Sequence, residues 1–200
     1  MGPPTDAELW RLAARGDASA FGVLFERHSR AVYNFCFRRT GDWAAAEDLT
    51  SIVFLEAWRR REEVRLNDGR ALPWLLGVAV NVLRNRRRSE RRHRAALERL
   101  PIQRGVNFAD DADGRLDDER RMRATLRTIA KLPRREQEVL ALCVWSGLSY
   151  EDAALALNVP VGTVRSRLSR ARARVRELMN DSGHEMDGEQ LAVHEAYEHD

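Results

Sequence analysis

The segment Leu148–Leu178 constrains this 200-residue chain most, because it reads as a helix, a sharp turn and a second helix shaped to touch DNA. Ser149 followed by Asp152 is a capping-box start, and Ala153, Ala154 and Leu157 give the first helix an apolar stripe. Asn158-Val159-Pro160-Val161-Gly162 breaks that helix, with Pro160 placed to open the next one. The second helix carries Val164, Leu168, Ala171, Val175 and Leu178 at the spacing of a single buried face. Its other faces hold Arg165, Ser166, Arg167, Ser169, Arg170, Arg172, Arg174 and Arg176. Guanidinium forks on such a helix can read guanine edges in the major groove and neutralise phosphates. The competing reading is a surface helix of solvated arginines; the capped short helix and the turn beside it favour DNA.

Charge placement agrees with this. The formal net charge is only +3, yet Arg84–Arg94 and Arg165–Arg176 are strongly basic, while Asp110–Asp118 and the tail from Asp181 are acidic. Local basic patches matter more for nucleic acid than the total does. Arginine identity itself carries little weight, since Lys131 is the only lysine in the chain. The first patch continues an amphipathic helix. Arg84, Arg86, Arg87, Arg88, Arg91, Arg92 and Arg94 repel one another unless a polyanion lies nearby. One turn before them stands Asn81, whose amide can donate and accept together, as base-edge reading requires.

The remaining pattern is helical almost throughout, with no strand alternation and no internal repeat. Thr5 with Glu8, Asp17 and Asp42 read as helix starts, and Gly16 and Gly41 as stops. Pro73 begins a long helix carrying Trp74, Leu75, Val78, Ala79, Val82 and Leu83. Pro101, Gly105, Asn107 and Asp110–Gly114 mark a linker. The expectation is an all-α chain of two small helical domains joined by a flexible acidic linker, the C-terminal one a helix-turn-helix. Its boundaries are residues 1–98, a linker over 99–115, residues 116–180, and an acidic tail over 181–200. Cys36 and Cys143 each sit inside an apolar helical pattern and read as buried reduced thiols. The start lacks a signal-peptide apolar region, and the run Ala71–Val80 is too short to span a bilayer, so a soluble cytoplasmic protein without membrane attachment is expected. No cofactor and no metal ligand set is read. The nearest approach to a zinc-protease motif has His194-Glu195 followed by Glu198 where the second His belongs.

Taken together, the segments FGVLFERH (Phe21–His28), AEDLTSIVFLEAWR (Ala46–Arg59), LPWLLGVAVNVLRN (Leu72–Asn85) and the long stretch Leu132–Leu178 resemble the extracytoplasmic-function group of the sigma-70 family, the bacterial RNA polymerase specificity subunits. The resemblance covers roughly Asp6–Met179. Its most specific part is Leu148–Ala154 followed by Val161–Arg167. The short linker also fits, because this group lacks the middle domain of housekeeping sigma factors.

The resemblance implies a non-catalytic chain that binds core RNA polymerase through the β′ clamp helices and the β flap. It implies promoter recognition, DNA melting and initiation of transcription. Glu47, Asp48, Leu49, Ser51 and Phe54 match the surface that grips the clamp helices, with Ser51-Ile52 standing where the family often has a Gln-acidic pair. The loop Val64–Arg70, with Asn67 and Asp68, and Asn81 resemble the pocket for a flipped base of the −10 element. Trp74 belongs with them, and Arg84, Arg87 and Arg88 would hold phosphates there. Housekeeping relatives carry a Trp pair where this chain has Trp74-Leu75, which implies weaker strand opening. Arg165, Ser166, Ser169 and Arg170 match the positions facing the −35 element. Many members are held off polymerase by an anti-sigma factor. The alternative is a helix-turn-helix regulator that binds duplex DNA without polymerase; it leaves the acidic helix, the loop and Asn81 without a task. The tail reads as a solvated segment, or as one that covers a basic face or binds a partner.

Overall fold

The computed structural model describes residues 2–66, 69–97 and 113–181, and every regular element among them is a helix. The linker residues 98–112, the tail beyond Asp181, and Asn67 and Asp68 lie outside the described residues. The fold consists of two small helical domains.

Helix α1 (Asp6–Ala14) starts from the full capping box: the Thr5 hydroxyl accepts from Glu8 N–H, and the Glu8 carboxylate accepts from Thr5 N–H at 2.8 Å. The Asp17 carboxylate accepts from the N–H groups of Ser19 and Ala20 to open α2 (Ala18–Thr40). Gly41 ends α2 in the left-handed region with φ +64°. A Cβ there would lie 2.9 Å from Arg123 Cγ, so this position needs both the backbone freedom and the space of glycine. Asp42 then caps α3 (Trp43–Arg59) through Ala45 N–H. Helix α4 (Ala71–Leu97) carries the apolar run first and the arginines after it. Leu24, Phe35, Leu49, Val53, Leu75 and Leu76 form the nearly inaccessible centre of this domain.

Asp6 locks the first helix to the others. Its carboxylate accepts from Arg27 at 2.5 Å, from Ala71 N–H at 3.0 Å, and lies 2.8 Å from His28 Nε2. It thereby caps α4 as well as pinning α2. Burial alone pushes this carboxyl up, but the Ala71 amide, Arg27 and His28 together outweigh burial and hold it below its ordinary value. Asp6→Ala strands the Ala71 amide and is expected to lower stability by about 1–3 kcal/mol in chemical denaturation. Because the folded-state value is depressed, the Asp6 contribution is complete above about pH 4 and lost as pH falls through the lower folded value. The stability advantage of wild type over Asp6→Ala should therefore shrink as pH falls below about 4, and the two chains should converge in acid. Parallel acid curves for wild type and Asp6→Ala would refute the assignment.

The second domain begins with α5 (Asp113–Ile129) and α6 (Arg134–Leu140), the latter continued by one wide π turn over Ala141–Trp145. Helix α7 (Tyr150–Leu157) is capped by the Ser149 hydroxyl, which accepts from Asp152 N–H at 3.0 Å. The reciprocal half of the expected capping box is not made, because the Asp152 carboxylate is turned to Arg70 instead. The turn into α8 (Val161–Asp181) rests on Asn158 at φ +52°, a left-handed position that Asn tolerates better than most side chains. Pro160 accepts the first bonds of α8, and Gly162 lies inside the helix. Val164, Leu168 and Ala171 are fully buried, and Val175 and Leu178 are partly so, as the stripe predicts.

The two domains are packed against each other, which charge pattern alone does not reveal. One buried cluster runs from Leu24 and Leu76 through Val80 to Leu142, Leu157 and Val164. Gly77 of α4 meets α7 so closely that a Cβ would lie 2.6 Å from the Ala156 carbonyl oxygen. Cys36 and Cys143 are buried thiols, pushed up to about 12 and about 11 by burial, and neither is in a disulfide.

Candidate nucleic-acid and polymerase interfaces

The sequence patterns place three solvent-facing surfaces on this fold. The first is on α8. With its Val164–Ala171 stripe buried, Arg165, Ser166, Ser169 and Arg170 are all exposed on the outer side of its N-terminal half. The Arg165 guanidinium lies 5.7 Å from the Tyr150 ring centre, within cation–π reach. The Ser166 hydroxyl donates to the Thr163 carbonyl. Arg170 stands 3.8 Å from the buried carboxylate of Glu136, which accepts from Arg174 at 2.5 Å. Glu136 thus fixes the middle of α8 to α6 and leaves its N-terminal half projecting.

The second surface is on α4. Asn81 is exposed, and its Oδ1 accepts from Arg84 at 3.3 Å. Arg84 also donates two bonds to Glu138, at 2.7 and 2.6 Å, which hold its guanidinium above the ordinary value. Arg87 is half-buried; burial and then the neighbouring Arg134 push it down. Arg88 is exposed. Trp74 packs edge-on against Trp10, with ring centres 4.9 Å apart. Its other side lines a cleft of about 650 Å³ whose far wall is Leu155, Val159 and Pro160 of the second domain. Leu75 points inward and is core, so Trp74 alone of the Trp74-Leu75 pair reaches this cleft. The Trp10 indole N–H donates to the Val64 carbonyl at 3.0 Å, while Asn67 and Asp68 lie outside the described residues. The structure thus gathers Asn81, Arg84 and Arg87 along one helix, with Trp74 two turns earlier.

The third surface is on α3. Glu47, Asp48 and Ser51 are exposed. Leu49 and Phe54, expected among them, are at 2% and 4% exposure and have almost no surface to offer a partner. The helical period explains this: both fall on the arc that faces α2 and α4. The apolar side chains that do point outward are Ile52 and Leu55, at 44% and 54% exposure, with Phe25 of α2 close by against Phe54. Counting off the period from the buried Ala46, Leu49 and Val53 identifies them; the matching of motif letters does not. Trp58 is half-buried against Phe21 and beneath the Arg61 guanidinium, in keeping with a packing role.

Comparison with known proteins decides the family. The model for sigma-70 region 2 matches residues 24–93, and the model for sigma-70, region 4, matches residues 122–175. The RNA polymerase sigma-H factor of Pseudomonas aeruginosa is 33% identical over 181 residues, covering 84% of this chain and 90% of that protein. The chain belongs to the extracytoplasmic-function group of the sigma-70 family. The ECF RNA polymerase sigma-E factor of Escherichia coli is 30% identical and covers 84% of this chain and 91% of its own length. Among solved structures, CnrH in complex with the cytosolic domain of CnrY shares 26% identity at a TM-score of 0.65, over 88% of this chain and 97% of that one. The sigma factor RpoE of Bartonella quintana, in complex with the anti-sigma factor NepR, shares the fold at a TM-score of 0.59 and 24% identity, over 80% and 96% of the two chains.

This sigma factor is therefore a subunit that binds RNA polymerase and recognises promoter DNA. The matched regions contain the surfaces just described: α3 and the Asn81–Arg88 part of α4 lie in the region 2 match, and the N-terminal half of α8 in the region 4 match. Glu138 and Asp152 are the functional candidates that motif reading passes over. They sit on α6 and α7, and their carboxylates pair with arginines of the other domain. Among the described residues there is no metal-ligating cluster, and no helix is long and apolar enough to cross a membrane.

Proposed function

We propose that the sigma factor uses α3 to hold core polymerase, α4 to read and hold the melted −10 strand, and α8 to read the −35 duplex. The observation that carries this reading is the order of three differently built surfaces along the chain. An acidic and apolar one comes first, an amide followed by arginines second, and an arginine-serine helix last. Glu47 and Asp48 give electrostatic orientation against a basic partner, while Ile52 and Leu55 supply apolar area. Residues 1–98 and 116–180 are the working units, with 99–115 as the linker between them. The chain has no catalysis of its own; polymerase does the phosphoryl chemistry, so the site of action is the cytoplasm. An anti-sigma factor is a further partner; the similar chain CnrH is itself held by a second protein, the cytosolic domain of CnrY. A regulator acting without polymerase leaves the exposed Glu47–Leu55 face without a role.

Transcription from a fragmented genomic library by core polymerase plus the purified chain tests the reading. Discrete promoter-dependent products are expected, and none would refute it. Asn81→Ala is expected to spare polymerase binding and closed complexes but to impair opening. Loss of the amide removes discrimination in a base pocket, while Arg84, Arg87 and Arg88 still hold phosphates. Permanganate footprinting reads this directly through thymine exposure. Normal melting with unchanged base preference would assign Asn81 to the ordinary exposed positions of α4.

A further inference from the structure

Helix α8 carries Ser166, Arg170 and Arg174 at four-residue spacing, so the three lie along one row of its surface. The row begins at the outward positions proposed for the −35 element and ends beside the Glu136 carboxylate of α6. Glu136 is 5% exposed, whereas the side chains of Arg170 and Arg174 keep 61% and 45% of their surface. A carboxylate buried this deeply is costly to leave without a cation. Among the described residues, Arg170 and Arg174 are the cations within 4 Å of it. Two guanidinium groups on one helix therefore compete for one buried anion.

Arg174 holds it. Its Nη1 donates to Glu136 Oε2 at 2.5 Å, a charge-assisted bond. Arg170 comes no nearer than 3.8 Å, from Nε to Oε1, which is outside hydrogen-bond distance. Its guanidinium is attracted towards α6 without being bonded there, and it stays mostly in solvent. Without Arg174 the balance changes. Arg170 would then be the remaining cation in reach, and a shift of about 1 Å would bring its Nε to bonding distance of the carboxylate. A guanidinium that turns its Nε edge inward has less of its fork to offer a phosphate.

We propose that Arg174 and Glu136 are a positioning pair for −35 recognition: Arg174 occupies the buried carboxylate and thereby keeps Arg170 free to take a DNA phosphate. The inference rests on the assignment of α8 to the −35 duplex, and it adds two residues that act on DNA only through Arg170. The charge of Arg174 is used inside the protein, and the charge of Arg170 is left for the promoter. Simple charge counting gives a different expectation. On that view each of the two residues changes DNA affinity by its own sign, independently of the other.

The test titrates holoenzyme, assembled from core polymerase and the full chain, with a promoter duplex recovered from the genomic-library transcription, over a series of salt concentrations. Arg170→Ala sets the scale of one lost phosphate contact, with weaker binding and a salt slope reduced by about 1. Arg174→Ala is expected to reproduce that loss within about twofold, because Arg170 takes its place on Glu136. Arg174→Lys keeps a cation for the carboxylate and should bind as wild type does. Glu136→Gln alone should change affinity by less than about twofold, yet added to Arg174→Ala it should restore both affinity and slope. That dependence on background separates positioning from charge counting. Circular dichroism at the assay temperature checks that each variant is folded, and Arg174→Gln, which keeps the side-chain stem, replaces Arg174→Ala if the latter is not. Equal effects of Glu136→Gln in the two backgrounds, or a wild-type salt slope for Arg174→Ala, overturn the proposal while leaving α8 on the −35 duplex. Wild-type affinity and slope for Arg170→Ala refute its phosphate contact, and the inference falls with it.

Discussion

Leu49→Ala is expected to destabilise the N-terminal domain by about 2–5 kcal/mol, whereas Leu55→Ala, six residues on, is expected to change stability by no more than about 0.5 kcal/mol. The two leucines lie on one helix and within one motif, and only the helical period separates them. Leu49 is 2% exposed among Leu24, Val53 and Leu75, so its truncation leaves a cavity that the packed helices only partly refill. Leu55 is 54% exposed and touches little in the free protein. Its cost is expected in association: Leu55→Ala, and Ile52→Ala with it, should weaken core polymerase binding with an unchanged denaturation midpoint. Leu49→Ala should bind with near-normal affinity under conditions where it remains folded. Urea titrations paired with polymerase binding at low temperature separate the two effects. Equal loss of polymerase affinity at unchanged stability in both variants would move Leu49 to the contact surface.

Much of this molecule is legible in the sequence because its signals are local. Thr5 with Glu8, Asp17, Asp42 and Ser149 cap the helices they are read to cap, and the Val164–Leu178 stripe is buried in the order its spacing predicts. Local signals fail where two elements compete for one side chain. Asp152 reads as the reciprocal half of a capping box but pairs with Arg70, because a buried carboxylate gains more from a bidentate guanidinium than from a single amide. The contact between domains is illegible for a related reason. Gly77 looks like an ordinary weak point in a helix, and Glu138 like an exposed acid; each acquires meaning only from a residue more than fifty positions away. The assignment of Leu49 and Phe54 to a partner surface follows motif letters across a helix whose period turns those two inward.

At the other end of the chain, Arg165→Ala is expected to cost about 1–3 kcal/mol of −35 binding at a cognate site and to relax base preference at one position. Arg165 is the fifth residue of α8, in the N-terminal part of the helix proposed to contact base edges in the major groove. Its aromatic neighbour Tyr150 belongs to α7, so the guanidinium is oriented from outside its own helix and spends less entropy on reaching a base edge. Arg170 starts from a different position. It lies within 3.8 Å of the buried Glu136 carboxylate, which already holds Arg174. Arg170→Ala is therefore expected to lose affinity for specific and unrelated duplexes alike, with a shallower salt dependence, the signature of a phosphate contact. Ser166→Ala should matter less than either, because its hydroxyl donates to the Thr163 carbonyl and its reach is short. Competition titrations of the holoenzyme against single-base variants of the upstream element, repeated at two salt concentrations, resolve base reading from phosphate anchoring. A uniform loss across all variants for Arg165→Ala would reassign that residue to the phosphate backbone and leave base reading to other side chains of α8.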